Sequence, residues 1–273
     1  MCKAFAFLMT RNATCYWKAG TDSHDALLSL FKGEDAQLRD ISSVQAGPYC
    51  QGEYVPDDYL QDGGWHFDWE SETKPSWWGY DHERAAGKAF CSWHSEVYDK
   101  INLAEARDPI HPFQVTPPEI TDEILALVRD WASVRGSVGA GVWKSVGESV
   151  GASMRASVWA SVWASVGASV WASVRASVWE SVWASVGASV GEIVRASGWA
   201  SVWASVWKSV GESVSSYIGS LFDIWPEGYP FQAGADLWRM GLVPSFDGVT
   251  WRLHGGPDGA VLWEGVLEAS WAI

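Results

Sequence analysis

Tryptophan and arginine recur at regular spacing through residues 133–220, and their side chains are suited to stacking and to cation–π contacts. The chain has 21 Trp in 273 residues. Nine of these Trp share one position of a four-residue repeat, and most of them fall with four Arg into columns spaced by 20 residues. The columns are Trp143, Trp163, Trp183 and Trp203; Trp159, Trp179 and Trp199; and Arg135, Arg155, Arg175 and Arg195. Exposed indole columns would form a larger apolar patch than monomers normally carry.

We therefore predict that the Trp and Arg columns form a binding surface, with at least one column covered by another chain or by a flanking domain. Packing of the Trp on one another, at about 0.5–1.5 kcal/mol per aromatic pair, is one alternative. Stacking on sugar rings or bases is another. The Arg column brings like charges together, and we expect contact with neighbouring Trp faces to relieve that repulsion.

Cys2 is the candidate for covalent chemistry. Removal of Met1 would place it at the N-terminus, where the free amine can activate the thiol as a nucleophile. The ordinary alternative is a strand residue that packs its thiol against neighbours. We prefer that alternative, so the sequence assigns no catalytic residue.

Two groups of residues could bind metals. Cys91 and His94 lie one helical turn apart, and with His82 and Cys50 they could form a zinc site. Since no second closely spaced pair completes the set, we expect a surface His, a buried Cys, and no metal or other cofactor. Residues 57–72 also carry six carboxylates that could bind Ca²⁺ or cleave glycosides. Their spacing matches no calcium loop and predicts a solvated acidic loop; they are Asp57, Asp58, Asp62, Asp68, Glu70 and Glu72.

The element that positions the Trp and Arg is a tetrapeptide repeat, approximately Ser-Val-x-Ala. It has 22 units from Val134 to Ile218 without insertion or deletion, and 19 of them contain Val. A stripe of every fourth residue rotates by about 40° per unit around an α-helix, so a helix of this length would leave no face continuously buried. Ser, Val, Trp and Gly are also weak helix formers.

In a β-strand, by contrast, Val and Ala would share the inward face, and Ser and the variable residue would point outward. We therefore predict a mainly β fold, in which the repeat forms a tetrapeptide-repeat β-solenoid with about 20 residues per coil. Val142, Val162, Val182 and Val202 would then lie in one column, about 4.8 Å apart. The arrangement resembles pentapeptide-repeat solenoids in its logic, although the register differs.

The flanks have the patterns of ordinary globular structure. Residues 1–106 are predicted to form a small α+β domain, 107–132 a linker and capping helix, 133–220 the solenoid, and 221–273 a C-terminal cap. In the first domain we expect strands at 3–9, 14–18, 38–44 and 65–70, and helices at 24–32 and 81–100. After the linker we expect helices at 122–131 and 233–240, a loop at 244–248, and a hairpin of strands at 249–254 and 260–264.

Charge is unevenly distributed along the chain, whose net charge is −14. Residues 1–132 carry 22 acidic and 11 basic side chains, the repeat 4 and 6, and residues 221–273 carry 7 and 2. An acidic chain without a basic run is a poor candidate for binding nucleic acid. The sequence contains no run of 18 apolar residues and no signal-peptide core, so we expect neither a membrane span nor secretion. Four unevenly spaced Cys do not indicate a disulfide framework.

Three segments together resemble a group of uncharacterised bacteriophage and bacterial proteins. They are the opening Met-Cys-Lys-Ala-Phe-Ala, the Ser-Val-Trp repeat, and a closing Gly-Leu-Val-Pro-Ser-Phe-Asp-Gly followed by Trp-Arg-Leu-His-Gly. The resemblance implies a phage or prophage origin but no activity. The opening also looks like that of N-terminal-nucleophile glutamine amidotransferases. However, Lys3 stands where that family has Gly, and about 105 residues are too few for its domain.

The sequence thus predicts a non-enzymatic, repeat-built structural or protein-binding protein that binds a protein partner or forms a homo-oligomer. We expect it in the cytoplasm of a bacterial host or associated with the virion. One alternative is an amidohydrolase-like enzyme that uses Cys2 as its nucleophile. The other is a carbohydrate-binding module that uses the Trp columns.

Overall fold

The computed structural model describes residues 5–39, 47–61, 63–69, 74–186 and 192–267. These residues divide into two compact units. The first unit comprises Met1–Leu103, Lys144–Trp159 and Phe222–Ile224, and the second comprises Ala104–Trp143, Ala160–Leu221 and Trp225–Ile273.

A four-stranded antiparallel sheet forms the centre of the first unit. Its strands β1 (Phe5–Thr10), β2 (Cys15–Tyr16), β3 (Tyr49–Pro56) and β4 (Trp65–Trp69) lie in the order β2-β1-β3-β4. The predicted hairpin of β1 and β2 and the predicted strand β4 are confirmed, whereas β3 falls where no strand was expected. Of the strand predicted at 38–44, Leu38 lies in a 3₁₀ turn, and residues 40–44 lie outside the described residues.

One helix packs on each face of this sheet, because successive side chains of β1 alternate between the faces. Phe5 lies against Phe90 and Trp93 of α2 (Tyr80–Glu96). On the other face, Leu8 packs with Leu27 of α1 (His24–Phe31). The predicted α1 begins as expected, with the Ser23 side chain accepting a hydrogen bond from the Ala26 N–H.

The second unit contains a three-stranded antiparallel sheet with strands β5 (Val243–Phe246), β6 (Trp251–Gly255) and β7 (Ala260–Gly265) in sequence order. The predicted hairpin of β6 and β7 is confirmed, and β5 replaces the predicted loop. Its other elements include α3 (Leu103–Arg107), α4 (Asp122–Val134) and α9 (Gln232–Arg239), of which α4 and α9 were predicted.

The repeat is helical, so the predicted β-solenoid is wrong. It forms α5 (Val138–Ser149), α6 (Ala152–Val162), a π-helical segment at Trp163–Gly167, α7 (Ala168–Val186) and α8 (Glu192–Gly219). The structure is 52% helical and 17% strand, and its sheets are small and open rather than wound into coils. The predictions of a mainly β fold, of a 20-residue coil and of a Val column along it are therefore wrong.

Interruption of the repeat explains how the four-residue stripe stays buried in α5 and α6. The helices α5 and α6 have 12 and 11 residues, so the stripe rotates by only about 80° within each one. That rotation fits within an apolar face about 100° wide. Gly151, with φ of 99°, separates α5 from α6 in a conformation that favours glycine.

The π-helical segment corrects the rotation between α6 and α7. Its i→i+5 hydrogen bonds enclose more residues per turn than an α-helix does. The four-residue spacing of Val is slightly more than one turn of an α-helix and slightly less than one turn of a π-helix. The Val stripe therefore rotates back toward the interior in this segment. A rotation of about 40° per tetrad excludes one continuous helix but not a series of interrupted ones.

Candidate binding surface on the repeat helices

The four positions of the tetrad occupy four faces of each helix. Successive residues rotate by about 100°, so Val and Ala lie nearly opposite each other, with Ser and the variable residue at the sides. In α7, Val170, Val174 and Val178 are fully buried. Ala168, Ala172 and Ala176 are exposed. The prediction that Val and Ala share the buried face is therefore wrong, and the variable position and Ser both lie at edges of the buried face.

The Ser side of the helices attaches other segments of the second unit at intervals of eight residues. The Ser161 hydroxyl donates to the Ala106 carbonyl at 3.0 Å, and that of Ser177 donates to the Gly259 carbonyl at 2.6 Å. Midway between them, the Ser169 Oγ lies 2.7 Å from Nε2 of His111. This side of the helices is therefore occupied by intramolecular contacts.

The orientation of the hydrogen bonds at His111 can be assigned from its partners. Nδ1 of His111 accepts from the Phe113 N–H, so Nε2 carries the proton and donates to Ser169. The Ser169 hydroxyl in turn donates to the Val166 carbonyl. Burial lowers the pKa of His111, which is consistent with the neutral ring.

The opposite side carries three neighbouring indoles, Trp163, Trp171 and Trp207, which we call the indole cluster. The ring of Trp207 lies 4.4 Å from that of Trp171 at 90°, and 6.0 Å from that of Trp163 at 72°. Trp163 and Trp171 are half-buried, whereas Trp207 is 48% exposed. A concentration of aromatic surface thus remains partly in contact with solvent.

Gly167 is the residue that allows the Trp163 ring to lie against the helix backbone. It lies between Trp163 and Trp171 on the variable face, at intervals of four residues. A Cβ atom at this position would lie 2.7 Å from a carbon of the Trp163 ring, which is closer than real Cβ contacts. The repeat therefore shapes the cluster by alternating Trp with Gly.

Cationic side chains lie beside the indole cluster. Arg175 is exposed and follows Trp171 by one turn of α7. Lys208 follows Trp207 in α8, and its side chain is 66% exposed. Its ammonium lies 3.9 Å from a Glu212 carboxylate oxygen, at the edge of the ion-pair range. Arg175 and Lys208 thus lie within one turn of indole-cluster residues along their helices.

Arg135 has a different environment from the one predicted for the Arg column. Its guanidinium donates to Glu212 at 2.8 Å and lies 5.0 Å from the Phe246 ring centre and 5.1 Å from that of Trp251. Burial raises the pKa of Glu212, and Arg135 opposes that rise. The cation–π contacts of Arg135 are with the C-terminal sheet, and not with the neighbouring Trp columns of the repeat as predicted. Arg135 therefore links α8 to that sheet.

The remaining predicted surface residues are distributed over both units. Arg155 and Trp159 are half-buried in the first unit, whereas the indole cluster belongs to the second. The contacts described for Trp163 join it to Trp207, which no 20-residue column includes. The other predicted side chains lie outside the described part of the chain; they are Trp143, Trp179, Trp183, Trp199, Trp203 and Arg195.

The four residues considered for zinc have other environments. Both ring nitrogens of His82 are engaged, by the Gly79 N–H and the Arg11 carbonyl. His94 lies 3.1 Å from Asp99. Burial raises the pKa of Cys50 to about 12, while Cys91 is exposed on α2. Across the described ranges, no three His, Cys, Asp or Glu side chains are grouped closely enough to hold a metal ion.

Cys2 and half of the predicted carboxylates lie outside the described residues. Asp57 and Asp58 are exposed in the turn after β3. Asp57 lies 3.0 Å from His66, and Asp58 accepts hydrogen bonds from Leu60 and Gln61. These two carboxylates therefore belong to a solvated hairpin.

The structure also contains a buried Ser–His pair that the sequence did not indicate. Nε2 of His254 on β6 lies 2.8 Å from the Ser245 hydroxyl on β5, and its Nδ1 lies 3.1 Å from the Gly259 carbonyl. The carbonyl requires a proton on Nδ1, so Ser245 donates to Nε2, as in an activated nucleophile. Both residues are 0% exposed, so a substrate could not reach them. Only the pairing of the strands brings them together, and no spacing in the sequence marks it.

Protein-family models, curated proteins and solved structures give no match to this chain. Within the described ranges, no helix combines the length and the hydrophobicity needed to cross a membrane. The candidate site therefore depends on the geometry of the repeat helices themselves.

Proposed function

We propose that this chain is a non-enzymatic helical repeat protein that binds a protein partner through the indole cluster. The observation that carries the proposal is the half-exposed ring of Trp207, which contacts Trp163 and Trp171. Arg175 and Lys208 lie within one turn of Trp171 and Trp207 along the helices. Trp and Arg are the side chains most enriched at energetically important positions of protein interfaces.

The free energy gained by covering the exposed surface of Trp207 is large enough for this side chain to anchor an interface. A Trp side chain that is about half exposed presents on the order of 100 Å² to solvent. At about 25 cal/mol per Å², covering that surface would contribute about 2.5 kcal/mol. This contribution is typical of a strong interface residue, and further contacts around the anchor are needed to offset the costs of association.

The angles between the rings favour a protein partner over a sugar. Trp207 meets Trp171 at 90° and Trp163 at 72°, so the three rings do not form one flat platform. An angular aromatic surface with adjacent cations is better suited to an irregular protein surface. As the sequence resemblance implies, we propose that the protein acts in a bacterial host or on a phage particle.

Selections with two kinds of ligand would test this function. A random-peptide library and an oligosaccharide array would each be probed with the wild-type chain, with Trp207→Ser, and with Val249→Ser. Val249 is a matched control because it is another exposed apolar side chain, 70% accessible, outside the cluster.

We expect selected peptides to bind the wild-type and Val249→Ser chains equally, and to bind Trp207→Ser at least tenfold more weakly. Peptide binding that does not depend on Trp207 would contradict the proposal. Sugar binding that depends on Trp207, without peptide binding, would replace it with carbohydrate recognition.

A further inference from the structure

We propose that the partner of the indole cluster is a second copy of this chain, which binds through the acidic hairpin between β3 and β4. The inference rests on the proposed function, because it assigns a partner to the same surface. It follows from the distribution of charge and of apolar side chains over the two surfaces.

The acidic surface belongs to a part of the chain that has no basic side chains. Residues 40–73 contain eight Asp or Glu and no Lys or Arg, and of these Glu53 is buried near His24. Within this stretch, Asp57 and Asp58 are exposed at the β3–β4 hairpin, and the Asp57 side chain is 71% accessible. The repeat has the opposite balance, with six basic and four acidic side chains. One chain therefore carries both members of a complementary pair.

The local chemistry is complementary as well as the overall charge. The hairpin has the sequence Asp57-Asp58-Tyr59-Leu60, in which Tyr59 and Leu60 are partly exposed. The indole cluster offers an exposed indole beside Arg175 and Lys208. Tyr59 and Leu60 would cover the Trp207 ring while the two carboxylates approach the cations. Such charge pairs speed association and fix its orientation, and salt screens them.

The two surfaces differ, so their contact is head-to-tail rather than symmetric. Each copy would bind one neighbour through its indole cluster and another through its hairpin. A contact of this kind forms a ring if its rotation closes, and otherwise an open filament. The average mass should therefore rise with protein concentration unless a ring of fixed size forms.

Light scattering of the full chain over a concentration series would test the assembly. Trp207→Ser removes one surface, and the double variant Asp57→Lys, Asp58→Asn removes the other while keeping an acceptor oxygen at position 58. The control is Asp81→Lys, because the Asp81 side chain is 73% exposed outside the hairpin. Each variant is first compared with the wild type by circular dichroism. If Trp207→Ser does not fold, Lys208→Glu tests the same surface.

We expect the wild-type and Asp81→Lys chains to assemble at low salt and to dissociate in roughly 1 M salt, where the screening length is about 3 Å. Each interface variant should be monomeric alone. Mixing the two variants should give a one-to-one dimer, because each retains the surface that the other has lost. Monomeric wild type at every concentration would overturn the proposal.

The proposal would also be overturned if the hairpin variant still assembles, or if mixing the two variants does not restore assembly. In that case Trp207-dependent peptide binding would still support the proposed function, with a partner other than this hairpin. Loss of both peptide binding and assembly would contradict both proposals together.

Discussion

Val170 and Ala172 lie on nearly opposite faces of α7, two residues and about 200° of rotation apart. Val170 is fully buried, and Ala172 is exposed. Substitutions at these two neighbouring positions therefore test the helical repeat directly. In a β-solenoid both side chains would point inward, and both positions would be sensitive.

The expected free energies of unfolding follow from burial. Val170→Ala removes apolar groups worth about 0.8 kcal/mol each and leaves a small cavity, while Ala favours the helix by about 0.5 kcal/mol. The net loss of stability should be about 2 kcal/mol. Ala172→Arg places a good helix former on an exposed face, so its effect should stay within about 0.5 kcal/mol. A buried, unpaired Arg would instead cost several kcal/mol.

Urea unfolding followed by far-ultraviolet circular dichroism provides the assay, because the repeat accounts for much of the helical signal. The midpoint should fall for Val170→Ala and stay close to that of the wild type for Ala172→Arg, with similar slopes for all three chains. Equal destabilisation by Ala172→Arg and Val170→Ala, or no effect of Val170→Ala, would exclude the helical repeat.

Two further predictions concern the second unit. Arg135→Ala should lower the free energy of unfolding by about 2–3 kcal/mol, because it leaves the buried Glu212 carboxylate without its closest cation and removes two cation–π contacts. The control Lys144→Ala, at an exposed position, should cost less than about 0.5 kcal/mol. Equal unfolding midpoints for the two variants would contradict this role of Arg135. Burial lowers the pKa of His254 to about 4, so below about pH 6.5 the unfolded chain binds a proton that the folded chain does not. The folded state should lose up to about 3 kcal/mol from this group as pH falls to 4, and a His254→Gln variant with an unchanged pH dependence of stability would disprove the assignment.

Local signals in the flanks were sufficient to predict most of their helices and several strands. Thr121 and Ser23 precede α4 and α1, where short polar side chains commonly begin helices. The strand β3 was missed because Gly52 and Glu53 interrupt its apolar pattern. In the folded chain Gly52 is needed for space, since a Cβ there would lie 2.6 Å from the Phe7 ring, and Glu53 is buried near His24. Both residues are explained by contacts with distant parts of the chain, which the local sequence does not reveal.

The candidate site was only partly predictable. The sequence indicated that the variable position of the tetrad carries the distinctive Trp and Arg, but the 20-residue columns did not predict which of them meet. Trp171 and Trp207 join Trp163 because α7 and α8 pack together. Arg135 is removed from the predicted surface because Phe246, Trp251 and Glu212, all distant in sequence, surround it.

The sequence by itself indicated that the periodic Val lies inside, because a regularly repeated apolar side chain is expected to face the core, and the Val described between Val138 and Val178 are buried. It did not determine which structure that is, since a four-residue period is compatible with a strand and is only 40° per unit from an α-helix. The tertiary structure decided between them. Gly151 and the π-helical segment keep the stripe inward through α5, α6 and the start of α7, which leaves Ala outside and places Trp163 and Trp171 at the edge, where Trp207 of α8 meets them.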